Sequence, residues 1–155
     1  MAKHKGILTK GAKLEIAHYA TPGDQSTNPG AYTEVANVLR MPSLGGEQER
    51  VEVTTLADSA HMYINGLIEY GELEFQLLYD NEEATSNYRV IKALGDEVVS
   101  VRVELGDKPL TGSHGTQFTF AAQLNASIDE QEPGQALTFT TRAMLQSDID
   151  ATLPA

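Results

Sequence analysis

The chain has 155 residues, 41% of them hydrophobic, with 11 basic residues against 22 acidic ones for a formal charge of −11. One domain of ordinary size with an adequate core is expected, and so strong an acidic excess argues against a protein that grips nucleic acid by its phosphates. The absence of cysteine removes disulfides, thiolate nucleophiles and Cys-based metal sites from consideration.

Residues 1–10 read as a basic arm carrying Lys3, His4, Lys5 and Lys10. No long apolar run follows, so neither a signal peptide nor a membrane span is expected. Leu14, Ile16 and His18 alternate with Lys13, Glu15 and Ala17, the period of a half-buried strand. Pro22-Gly23-Asp24 and Asn28-Pro29-Gly30 mark residues 20–31 as loop. A short strand is expected over 32–39, then a turn at Pro42 and Gly45-Gly46.

Residues 49–56 alternate, with Val51, Val53 and Thr55 on one face and Arg50, Glu52 and Thr54 on the other. Residues 57–71 then read as a long connection, above the usual loop length of a compact domain. It carries Met62, Tyr63, Ile64, Leu67 and Ile68, too apolar for a free loop. Such a segment either folds back as a lid on its own domain or covers a neighbour.

Residues 72–79 give the clearest alternation, Leu73, Phe75, Leu77 and Tyr79 against Glu72, Glu74, Gln76 and Leu78. The period then changes. Tyr88, Ile91 and Leu94 stand three apart, Ser86 or Asn87 can cap the start and Gly95 the end, so a helix is expected over 86–94. Strands follow at 97–105, 116–126 and 135–145. Their inward residues are Val99, Val101, Val103 and Leu105; Phe118, Phe120, Ala122 and Leu124; and Leu137, Phe139, Thr141, Ala143 and Leu145. The tail, 147–155, is polar. Seven strands, one helix and no βαβ alternation predict an all-β, mainly antiparallel sandwich or barrel, with the main domain spanning 11–146.

Constellations that carry chemistry are weak. His4, His18, His61 and His114 lack ligand spacing. Asp58, Ser59 and His61 are the residue types of a hydrolase triad, but such triads draw on separate elements. The acidic clusters lack the ordered spacing of a calcium loop. No catalytic residue, metal site or cofactor is expected. A carbohydrate-type binding module would show clustered aromatics, yet there is no Trp and the tyrosines are scattered.

Taken in order, Tyr32-Thr33, the Gly45-Gly46 loop, the strand ending Thr54-Thr55-Leu56, the long loop, Gly66-Leu67, Gly71-Glu72 and the alternating strand resemble the major tail tube proteins of long-tailed bacteriophages. The resemblance spans about residues 10–146, and loop 20–31 is longer than the minimal pattern. It implies a structural virion protein, not an enzyme. Its subunits would form hexameric rings that stack into a tube for genome delivery, made in the host cytoplasm and located in the virion tail. Implied partners are other copies of the chain and tail components such as tape measure, terminator and baseplate proteins. Viral DNA would pass without specific binding, and no membrane insertion is implied. A tube component of a bacterial contractile secretion machine is the neighbouring alternative. On this resemblance Met62, Tyr63, Ile64, Leu67 and Ile68, with Lys3 and Lys5 of the arm, are expected at subunit interfaces. Glu72, Glu74 and Gln76 are expected to line the lumen.

Overall fold

The computed structural model describes residues 11–154. Lys3 and Lys5 lie outside the described residues. Within them are ten strands and one helix. These are β1 (Lys13–Ala17), β2 (Thr33–Val35), β3 (Val38–Arg40), β4 (Glu47–Glu52), β5 (Tyr63–Glu69) and β6 (Leu73–Leu78), followed by helix α1 (Asn87–Leu94). Then come β7 (Val98–Glu104), β8 (Gln117–Ile128), β9 (Thr138–Leu145) and β10 (Asp150–Thr152).

The main sheet is antiparallel, in the order β2-β1-β7-β8-β9-β6-β3, with β10 also paired to β8. A second sheet is the two-stranded β4–β5 ribbon. The twelve-residue β8 makes the bend possible, pairing β7 through its first half and β9 through its second. β2 and β3 occupy opposite edges of the main sheet, yet only Ala36 and Asn37 separate them in the chain. The sheet must therefore wrap over itself until its two edges meet at that corner. The edges do not pair with each other, so the result is sandwich-like and not a closed barrel. Asn37 takes the corner at φ 64°, a left-handed conformation that asparagine tolerates.

Wrapping places the apolar parity of every long strand in one core. Leu14, Ile16, Leu73, Phe75, Leu77, Val99, Val101, Val103, Phe120, Ala122, Leu124 and Phe139 are buried together. The helix covers one flank through Ile91 and Leu94. Tyr88 meets the Phe139 ring edge-on at 5.3 Å and the Tyr79 ring at 4.9 Å, geometries that the ring quadrupoles favour.

Asn87 holds the corner. It is buried, and its amide donates to the carbonyls of Ala36 at 3.0 Å and Leu78 at 2.7 Å. Its carbonyl oxygen accepts from the N–H groups of Asp80 at 3.2 Å and Tyr88 at 2.7 Å. Ser86 precedes the helix in extended conformation without capping it; its hydroxyl accepts from Glu83 N–H instead.

Several expectations change. The run 32–39 is two strands on opposite edges, because the chain turns at Asn37. Residues 57–71 are not a loop, since 63–69 form a strand against β4. His18 is exposed and Ala17 buried in its place, because β1 ends at Ala17. Leu105 and Leu137 are partly exposed, each standing one residue outside its strand. The polar tail contains β10.

Thr141 sits at 0% exposure among these apolar side chains, and its hydroxyl has no hydrogen-bond partner. A buried hydroxyl without a partner costs stability, whereas a methyl of the same shape does not. Thr141→Val is expected to raise stability by about 1 kcal/mol, read as a higher midpoint in urea with an unchanged slope.

Candidate assembly surface

The β4–β5 ribbon leaves the body at Gly46 and returns at Tyr70. Gly46 lies at φ 64°, and a Cβ there would stand 2.5 Å from the Glu69 carbonyl and 2.9 Å from both Ile68 and Tyr70. Only glycine fits. Gly46→Ala is expected to cost about 2 kcal/mol, combining left-handed strain with a backbone clash. Faster amide exchange in Glu47–Glu52 and Tyr63–Glu69, with the β7–β8 amides unchanged, is the expected reading.

Within the ribbon Val51 opposes Ile64, Arg50 opposes Asn65 and Glu52 opposes Tyr63. Period two carries Val53 and Met62 to the face of Val51 and Ile64. The register then shifts, so that Gly66 and Leu67 together stand opposite Glu49, the mark of a β-bulge. Beyond the bulge Ile68 falls on the other face, over Gly46. One face is therefore an apolar strip of Val51, Val53, Met62 and Ile64 with Leu67 at its bulged end. The other carries the Arg50 guanidinium 4.4 Å over the Tyr63 ring and a Glu52–His61 contact of 2.6 Å.

No part of the chain's own described residues covers the strip. Ile64 is 55% exposed and Leu67 78%. A lone two-stranded ribbon is marginal in water, and this one is stapled at its tip. Asp58 accepts from the Thr55 N–H at 2.7 Å and from its hydroxyl at 3.1 Å. Met62 N–H donates to the Thr54 hydroxyl at 2.9 Å, and Val53 N–H to the Met62 carbonyl at 2.9 Å. The ribbon is thus a built element that presents apolar surface.

Of the residues that the sequence points to, Met62, Ile64 and Leu67 come together, while Tyr63 and Ile68 face away from them. Val51 and Val53 were missed as surface. Their alternation matches that of a core strand, and only the flanking Glu47, Glu49 and Glu52 hint otherwise.

Glu74 and Gln76 share the face of β6 opposite the buried Leu73, Phe75 and Leu77, and Glu72 is an exposed residue just before the strand. Glu74 accepts from Arg142 Nε at 2.8 Å, and Gln76 donates to Asp129 at 3.3 Å. Burial pushes the Asp129 carboxyl up, but hydrogen bonds from Thr138, Thr140 and Gln76, with Arg40 nearby, outweigh it and hold the group below the usual carboxylate range. Glu74 and Gln76 are thus both paired, and Arg142 offsets the charge of Glu74.

The residue types of a triad at 58–61 do not assemble. Asp58 is spent on Thr55 and His61 on Glu52. Among the described residues no group of three or more His, Asp or Glu side chains is placed to hold a metal, and no helix is long and apolar enough to cross a membrane.

A family model described as phage tail tube protein matches residues 16–143. No curated protein matches the chain. The chain is similar in fold to a chain of a cryo-EM structure of the anti-feeding prophage (AFP) baseplate, 6-fold symmetrised. The TM-score is 0.65 over 97% of both chains, at 13% identity.

Proposed function

From the premise that this chain belongs to the phage tail tube protein family, we propose that its copies associate head to tail into hexameric rings. These rings stack into a tube that conducts viral DNA from the virion to the host. The observation that carries this reading is the apolar strip of the β4–β5 ribbon, where several exposed apolar side chains stand contiguously on one face. Contiguous exposed apolar surface of this kind marks a protein contact, and a contact between two different patches of one subunit repeats instead of ending at a dimer.

The role is structural, with surface complementarity in place of catalysis. Other partners are the tail components that begin, measure and end such a tube. Glu72, Glu74 and Gln76 are the lumen candidates. Because Arg142 offsets Glu74, the wall they form would let DNA pass less by net repulsion than by holding its cation in an ion pair and so attracting phosphates weakly.

Sedimentation of the purified protein over a wide concentration range, with negative-stain microscopy of the pellet, tests the reading. Tubes built from six-fold rings above a threshold concentration are expected. A species that stays monomeric throughout would overturn it.

A further inference from the structure

The chain contains neither cysteine nor tryptophan. Methionine sulfur is therefore its readiest target for a peroxide. Of the four methionines, Met1 lies outside the described residues. Met41 is partly buried and packed against the core. Met62 and Met144 are exposed, at 52% and 56%, but in different surroundings. Met144 shares the outward face of β9 with Arg142. Met62 lies on the apolar strip, toward the tip of the ribbon and in line with Ile64.

The polar groups beside Met62 are already engaged. Its N–H donates to the Thr54 hydroxyl, and its carbonyl accepts from the Val53 N–H. The Thr54 hydroxyl in turn donates to Glu52 at 3.1 Å, and the same Glu52 oxygen meets His61 at 2.6 Å. The Thr55 hydroxyl donates to Asp58. These bonds hold the Met62 backbone in register and leave the neighbouring hydroxyls no proton to offer. A sulfoxide oxygen at Met62 is then an acceptor that only water satisfies. Covering the strip removes that water at a cost, whereas the parent thioether is covered without one. The ribbon bears Glu47, Glu49, Glu52, Asp58 and Glu69 against Arg50. An uncharged peroxide approaches such a surface freely, and an anionic oxidant is repelled.

We propose that Met62 is an oxidation site that controls association. Hydrogen peroxide converts its thioether to the sulfoxide and withdraws the strip from contact; contact in turn shields the sulfur. In the step a sulfur lone pair attacks one peroxide oxygen and the O–O bond breaks. The proton of the attacked oxygen passes to the other, which leaves as water. Sulfur is oxidised by two electrons and the peroxide is reduced by two. Methionine sulfoxide reductases reverse the step with thiols, releasing the oxygen as water while two thiols become a disulfide. The inference rests on the tube reading above and adds a chemical control of the same strip.

The test treats dilute subunits with hydrogen peroxide, follows each methionine by peptide mass spectrometry and takes the assembly threshold from sedimentation. Conversion of Met62 is expected to raise the threshold about tenfold. Reductases for both sulfoxide epimers, with dithiothreitol, are expected to restore it. Met144→Leu is expected to respond to peroxide as the parent chain does, and Met62→Leu to keep its own threshold unmoved by peroxide. In preformed tubes Met62 is expected to oxidise about tenfold more slowly than in dilute subunits, and Met144 at a similar rate in both. A parent threshold unchanged after full conversion of Met62, or a rise that persists in Met62→Leu, would overturn the control and leave the tube reading intact. So would Met62 oxidising in tubes as fast as in subunits, or slowing only as much as Met144. An untreated chain that never assembles would overturn both.

Discussion

Changing Val51 and Ile64 together to Thr is expected to abolish tube formation at concentrations where the parent chain assembles fully, while the isolated subunit stays folded. Both positions are half exposed in the subunit and oppose each other on the ribbon, so their apolar area is available to a neighbour and contributes little to the core. Thr keeps the β-branching that suits a strand. Each change removes apolar carbon and places a hydroxyl in the contact, together about 4 kcal/mol per subunit contact. That corresponds to roughly a thousandfold rise in the critical concentration. Sedimentation gives the threshold, and the thermal midpoint of the dilute subunit gives the control. An unchanged threshold would show that this face is not in the contact. Leu67→Thr, at the bulge, reports how far the contact extends toward the ribbon's base.

The largest effect on the fold is expected at Asn87. Asn87→Leu keeps the size of the side chain but leaves two carbonyls, of Ala36 and Leu78, and the N–H of Asp80 without their partner at a buried corner. Buried groups stripped of a hydrogen bond cost about 1–3 kcal/mol each. Partial relaxation brings the expected loss to about 3–5 kcal/mol, or a fall of about 10–15 °C in the unfolding midpoint for a chain of this size. The loss would not appear at a residue on the exposed face of the same helix, such as Lys92.

Much of this architecture can be read from the residues. β6, β7, β8 and β9 alternate, and each buries the parity that the alternation marks, although Ser100 and Ala121 of the opposite parity are covered as well. The helix is legible from the spacing of Tyr88, Ile91 and Leu94 and from Gly95. β2 and β3 are not, since Thr33 to Arg40 reads as one run. What divides it is a reversal at Asn37 whose partners, Leu78 and Asn87, lie far along the chain. β5 is hidden by its own bulge, which places Leu67 and Ile68 side by side and destroys the period of two. β10 is three residues without an apolar pattern, paired only because β8 is near.

At the candidate surface, the apolar content of 62–68 is visible in the residues, and the face is not. Val51 and Val53 alternate like core residues, and parity alone cannot say whether the buried side lies within the subunit or between subunits. That question turns on what covers the strand, a long-range property.

The two-residue link between the opposite edges also orders events in time. The ribbon depends only on contacts inside Glu47–Glu69 and can form within microseconds. The wrapped sheet needs β1 beside β7, β6 beside β9 and the corner shut over Asn87, pairings between distant parts of the chain that form slowly. A nascent subunit therefore displays its ribbon well before its main sheet has wrapped. Ribbons alone share the same negative charge and repel one another. The wrapped body exists only once those distant pairings are made, so the exposed strip of the ribbon precedes the finished subunit that carries it.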